Sequence, residues 1–376
     1  MRVARFVGVA VAASSLVASA CSSHPEESSV STAGPVVAAG RAFPQQRCTA
    51  NRAAGTITYT SGYDYAAAAS IVDVLVAEQR GYFDELCLDV RIEPGLSSAN
   101  YTAVAAGTAQ FASAGSFSEL AGQPIASNLV ALAVEGKTAI DTLITKPAAA
   151  SSLAALTGDV IGVKGALPPS IRAMLAQAGL VDGRQYTTTM LVGFDPVEHL
   201  ALDGVVGFAG FKSNEPGQLD RAGVGYDTFD PSANDIPGSF GVLYTTHVFL
   251  NEHPTAAVDF MRATMHALAD SVADPASASM VAVDFIRNNG NPNRLSPDGE
   301  AFRWQTESKM IVDSTPTGQP LGLPDDKGLR AEVDAYAAVG LFGGTAPDIS
   351  QLFDASVLEM IYDTDNVVIW PAQGPK

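Results

Sequence analysis

The chain has 376 residues, 40 Asp and Glu against 22 Lys and Arg, a formal net charge of −18 and three cysteines. Its length points to two domains rather than one core, and a composition of 47% hydrophobic and 16% charged residues excludes collagen-like and wholly disordered chains. The acidic balance opposes phosphate backbones and anionic headgroups, so no nucleic-acid partner is expected.

Arg2 and Arg5 precede a run of apolar and small residues from Phe6 to Ala20. Residues 1–20 therefore read as a secretory signal, too short to span a membrane comfortably. The run ends Leu16-Val17-Ala18-Ser19-Ala20-Cys21, which resembles a bacterial lipobox, in which the cysteine is lipidated and becomes the mature N-terminus. An ordinary signal peptide with an incidental Cys21 is the other reading. The lipobox implies an exported protein held at the outer face of the cell membrane through the lipid on Cys21. Cys48 and Cys87 are then left in a compartment where disulfides persist; a bridge between them is expected, with two buried thiols as the alternative. From Ser22 to about Ala54 the chain is polar, with Ser, Pro and Ala and no apolar period, and residues 21–54 read as a flexible tether.

Thr56–Thr60 alternates as a strand, the turn Ser61–Asp64 leads into a helix with Ile71, Val74 and Leu75 on one face, and Gly81 closes it. Leu88, Val90 and Ile92 mark the next strand, at the spacing of a βαβ unit. A helix near Tyr101–Gly107, a strand at Phe111–Ala114 and a helix after Gly115-Ser116-Phe117 repeat the pattern. A second run starts at Leu153, with strands at Val160–Val163, Thr187–Val192 and Val205–Phe211, and Asp195 stands as the cap of a helix. Beyond Tyr244 the pattern is helical, beginning with Val258, Met261, Met265 and Leu268. The fold class is α/β with largely parallel sheets.

Ala77-Glu78-Gln79-Arg80-Gly81-Tyr82-Phe83 followed by Leu88-Asp89-Val90, then Gly107–Phe111 with Ala114-Gly115-Ser116, Leu143–Pro147, Leu153–Val163 and Asn214-Glu215-Pro216, occur in that order. Over residues 57–270 this succession resembles the ABC-importer substrate-binding proteins of the sulfonate, nitrate and thiamine-pyrimidine superfamily. The resemblance implies a type II periplasmic-binding-protein fold, two lobes joined by hinge strands. The crossings are expected at Leu143–Pro147 and Gly241–Thr246, so that residues 55–147 and 242–376 form lobe one and 148–241 lobe two. It also implies a small-molecule ligand, a membrane permease and an ATPase as partners, a monomer, no cofactor and no catalysis.

Ligands of open α/β sheets bind beyond the carboxyl ends of the strands, which singles out particular turns. In lobe one these hold Tyr63, Asp64 and Tyr65, then Ser116 and Phe117. The tyrosines either meet the ligand or pack on the core, and Asp64 either faces the ligand or caps its helix. In lobe two they hold Lys164, Phe194 with Asp195, Phe211, Asn214 and Glu215, and the Glu215 carboxylate can accept hydrogen bonds from ring N–H or amino groups. With rings and acids outnumbering cations, a neutral or weakly basic heteroaromatic metabolite is expected, and by resemblance a thiamine-precursor pyrimidine or a flavin-like ring. A sulfonate or nitrate binder, or a tethered sensor, is the alternative. Gly204-Val205-Val206-Gly207-Phe208 lacks the acid that the family carries at this strand. The five histidines show no metal spacing, and no nucleophile elbow or phosphate-binding glycine loop occurs.

Overall fold

Short apolar segments build two five-stranded sheets among the described residues. The computed structural model describes residues 34–291 and 296–372, so Cys21 and the leader lie outside it. The strands are β1 (Thr56–Thr60), β2 (Asp89–Glu93), β3 (Phe111–Ala114), β4 (Leu129–Gly136), β5 (Asp141–Thr145), β6 (Val160–Val163), β7 (Thr187–Met190), β8 (Gly207–Phe211), β9 (Asp227–Phe229) and β10 (Phe240–Thr246). One sheet has the order β2-β1-β3-β10-β4 and the other β7-β6-β8-β5-β9. β1 pairs in parallel with β2 and β3, while β10 runs against β3 and β4. In the second sheet β6 is parallel to β7 and β8, and β5 runs against β8 and β9. Four strands of each sheet thus share a direction, and the fifth is the one that has just arrived from the other lobe. Arrival from the far side is what reverses it.

The crossings differ from expectation. They fall after β4, at residues 137–140, and after β9, at residues 230–239. Leu143–Thr145 and Gly241–Thr246 instead lie in β5 and β10, both inside sheets. Leu143, Ile144, Val242 and Leu243 are wholly buried, as a sheet interior demands and a solvated hinge does not. The second sheet therefore begins at Asp141 and ends at Phe229.

The tether expected through residue 54 is also shorter. Helix Gln45–Ala53 packs on lobe one and buries Arg47, Cys48 and Asn51. Arg47 donates to Asp259 at 2.6 and 3.0 Å, Asn51 donates to the same carboxylate at 2.8 Å, and Arg262 completes the cluster at 3.1 Å. Ion pairing rather than an apolar stripe buries this helix, which is why its sequence reads as polar. Cys48 and Cys87 are joined by a disulfide with a Cα–Cα distance of 5.2 Å, tying the helix to the turn before β2.

Helix Val72–Gln79 follows β1, and Gly81 ends it in the left-handed region at φ 75°. Helix Pro254–Ala273 buries Val258, Met261, Met265 and Leu268 in the lobe-one core together with Phe111 and Phe260. Helices Pro275–Asn289 and Pro297–Ser314 pack beside it. The smaller core of lobe two centres on Leu143, Ile161, Ile171 and Met174. Among the described residues no helix is long and apolar enough to cross a membrane.

Candidate functional site

The turns that follow β1, β3, β6 and β8 converge on a cleft between the sheets, with a cavity of about 760 Å³, inside the usual range for small-molecule sites. Of the residues expected there, Tyr63, Ser116, Lys164, Phe211, Asn214 and Glu215 line it, and Asp64, Tyr65 and Phe117 do not. Tyr65 points into the lobe-one core, 4% exposed, with its ring 5.6 Å from that of Phe285. Phe117 is buried in a second lobe-one cluster and offers only its N–H, which donates to Ser239 Oγ at 2.9 Å. Asp64 adopts φ 50° and faces a smaller hollow lined by Leu96, Asn289 and Gly290. Neighbouring side chains in a turn leave in different directions, so three adjacent candidates reach three different environments.

In lobe two, Lys164 Nζ lies 2.9 Å from Glu215 Oε1 and 5.8 Å over the ring of Phe194. Glu215, 2% exposed, also accepts the Phe211 N–H at 2.8 Å through Oε2. Both carboxylate oxygens are thus engaged by lobe two itself. Phe194 (82% exposed) and Phe211 (49%) present open ring surface at the wall, and Tyr63 (49%) does so from lobe one. Asp195 caps its helix as expected, accepting from Val197 N–H at 2.8 Å.

Several wall residues come from outside the turns that the sequence singles out. Asp141 lies at the start of β5, and Arg303 and Glu307 come from helix Pro297–Ser314. Arg303 donates to both oxygens of Glu300, at 2.5 and 2.6 Å, and to Asn214 Oδ1 at 3.3 Å. The spacing of Glu300, Arg303 and Glu307, which puts three charges on one helix face, was the available hint. Burial pushes Asp141 up to about 6, opposed by a hydrogen bond from Ser170 and by Lys212. Glu119 and Glu307 are also raised, chiefly by burial.

In the lobe-one turns after β1 and β3, internal carboxylates occupy several of the amide donors. Gly115 N–H goes to Glu119 at 3.0 Å, Ala67 N–H to Glu300 at 2.7 Å, Ala69 N–H to Glu307 at 2.7 Å and Ser118 N–H to Glu332 at 3.0 Å. Gly62 N–H donates to Ser113 Oγ. Exposed turn amides of this kind form anion sites; here the chain has filled them with its own acids. Four acids (Glu119, Asp141, Glu215, Glu307) and two cations (Lys164, Arg303) line the cavity. Among the described residues no group of three His, Cys, Asp or Glu could hold a metal ion.

The family model described as "NMT1/THI5 like" matches residues 68–278, more than half of the chain. The riboflavin-binding protein RibY of Chloroflexus aurantiacus is 26% identical over 213 residues, covering 53% of this chain and 55% of RibY. The match thus spans about half the length of that curated relative. Among solved structures, the periplasmic sulfonate-binding protein SsuA of Methylobacillus flagellatus KT superposes with a TM-score of 0.57 at 16% identity, over 81% of this chain and 92% of its own. The periplasmic aliphatic sulphonate binding protein SsuA of Escherichia coli gives 0.56 at 11% identity, over 79% and 91%. At such identities the structural likeness speaks for the fold alone. The sequence match, the paired sheets and the cleft between them agree: this chain belongs to the NMT1/THI5-like family and has the fold of the periplasmic binding proteins.

Proposed function

We propose that this protein is the extracytoplasmic solute-binding component of an ABC importer, that it is held at the membrane by a lipid on Cys21, and that it captures a small neutral or weakly basic heteroaromatic metabolite. The observation that carries the reading is the cleft wall, which combines open rings on both lobes with amide donors already taken by carboxylates. A planar ring gains from contact with Tyr63, Phe194 and Phe211, about 0.5–1.5 kcal/mol per aromatic pair beyond the area buried. An anion meets four acids, and both cations of the wall are already paired, Lys164 with Glu215 and Arg303 with Glu300. The likeness to RibY, whose name records riboflavin binding, supports a flavin-like ring, with a thiamine-precursor pyrimidine as the smaller candidate.

The mechanism is non-catalytic. Solute enters between the lobes, contacts turns from both, and shifts the population toward the closed form in proportion to its preference for it. The closed protein then delivers the solute to the permease and ATPase subunits.

Native mass spectrometry of the freshly purified protein, followed by a thermal-shift panel of riboflavin, a 4-amino-5-hydroxymethylpyrimidine and taurine, tests this. Saturation to about 100 times the dissociation constant adds about 2.7 kcal/mol, so an aromatic solute should raise Tm clearly and taurine should not. Tighter binding of taurine would reject the ligand class.

A further inference from the structure

Helix Pro297–Ser314 belongs to lobe one but reaches lobe two. Trp304, wholly buried, donates its indole N–H to the Ser271 carbonyl at 2.8 Å and fixes the helix to helix Pro254–Ala273. Three positions on, Glu307 is buried at the cleft wall and accepts hydrogen bonds from both lobes. Ala69 N–H, in the turn after β1, donates to Oε2 at 2.7 Å, and the Ser213 hydroxyl, in the turn after β8, donates to Oε1 at 2.7 Å. Beside it Arg303 spans the same gap to Asn214. Phe302 covers Gly217 so closely that a β-carbon there would lie 2.4 Å from its ring. Ser213, Asn214, Arg303 and Glu307 all face the cavity.

We propose that Glu307 is a clasp between the lobes, a tethered carboxylate that draws one donor from each side of the cleft as a bound anionic solute would. Two consequences follow. The lobes are drawn together by a contribution that requires no solute, and a charged group on a solute finds these two donors taken. The second consequence rests on the solute-binding reading above; the clasp does not.

Ser213→Ala removes the lobe-two donor and leaves Glu307 its amide partner. Glu307→Gln keeps an acceptor for Ala69 N–H and supplies a donor to Ser213. Small-angle X-ray scattering and amide hydrogen exchange on the full chain, with no solute added, read the state of the lobes. Ser213→Ala should enlarge the radius of gyration and speed exchange in segments 66–72 and 207–214 by about tenfold or more, the scale set by a hydrogen bond to a charged acceptor. Glu307→Gln, which keeps both hydrogen bonds without the charge, should fall between the wild type and Ser213→Ala, and Glu307→Ala should track Ser213→Ala. If Glu307→Ala does not fold, Ser213→Ala alone decides. Wild-type scattering and exchange in Ser213→Ala would overturn the clasp while leaving the solute assignment standing, and a failed thermal-shift panel would do the reverse.

Discussion

Tyr63 and Tyr65 stand two residues apart in one turn, yet one ring is half exposed at the cleft and the other is packed on Phe285. Both look alike in sequence, because a turn has no period from which to read the direction of a side chain. Their substitutions should separate accordingly. Tyr63→Ala should weaken binding of the aromatic solute about fivefold or more and barely move Tm, since it removes a stacking surface and no core volume. Tyr65→Ala should cost about 3–5 kcal/mol, as aromatic truncations in cores do, read by guanidinium titration. A Tyr65→Ala protein of wild-type stability would contradict its placement. Glu215 carries a related lesson: its acid was legible as a cleft residue and its contact with the Phe211 amide is local, but its other partner, Lys164, comes from a segment whose approach only the fold reveals.

At the level of elements, β4 and helix Val72–Gln79 bring two acids together in the lobe-one core. Glu135 on β4 and Asp73 in the first turn of the helix are both wholly buried. Burial pushes Asp73 up to about 7, and it lifts Glu135 well above the carboxylate range with the help of Asp73 beside it. Burial raises Glu307 and Glu332 as well. An unfolded chain releases such protons near pH 4 (about 3.9–4.3 for Asp and Glu), whereas the folded one keeps that of Asp73 up to about pH 7. In that window the unfolded state binds fewer protons, so the unfolding free energy falls as pH rises. Denaturant titrations should therefore show greater stability near pH 5 than near pH 8, and Asp73→Asn should flatten the profile; stability rising over this range would reject the assignment. β1, β3 and the helix closed by Gly81 were all readable from local period and punctuation. β4 was not, because eight consecutive buried residues carry no alternation, and helix Gln45–Ala53 was not, because a salt bridge buries it.

For the whole molecule, the acidity sets the long-range field. Removal of residues 1–20 would take away Arg2 and Arg5 and no acid, leaving 20 cations against 40 acids, a side-chain charge of −20. Such a field slows an anion's approach and leaves a neutral ring unaffected. Affinity for riboflavin should accordingly change by less than about twofold between about 0.01 M and about 1 M salt, where the screening length falls from about 30 to about 3 Å. A tenfold change in calorimetric titrations would mark a charged solute. The amino-acid sequence by itself determined the α/β class and the order of the strand-to-helix turns, because apolar period, glycine stops and capping residues act within a few positions of each other; the kinship with two-lobed binding proteins came from the resemblance of its motifs. Only the tertiary structure decided where the chain crosses between sheets, which turn side chains look into the cleft, and that Glu307 and Glu332 reach back more than 200 residues to fill its amide donors. The physical reason is range: hydrogen bonds and burial inside an element are set by neighbours in the chain, whereas a cleft wall is assembled from segments that meet only after both lobes have folded.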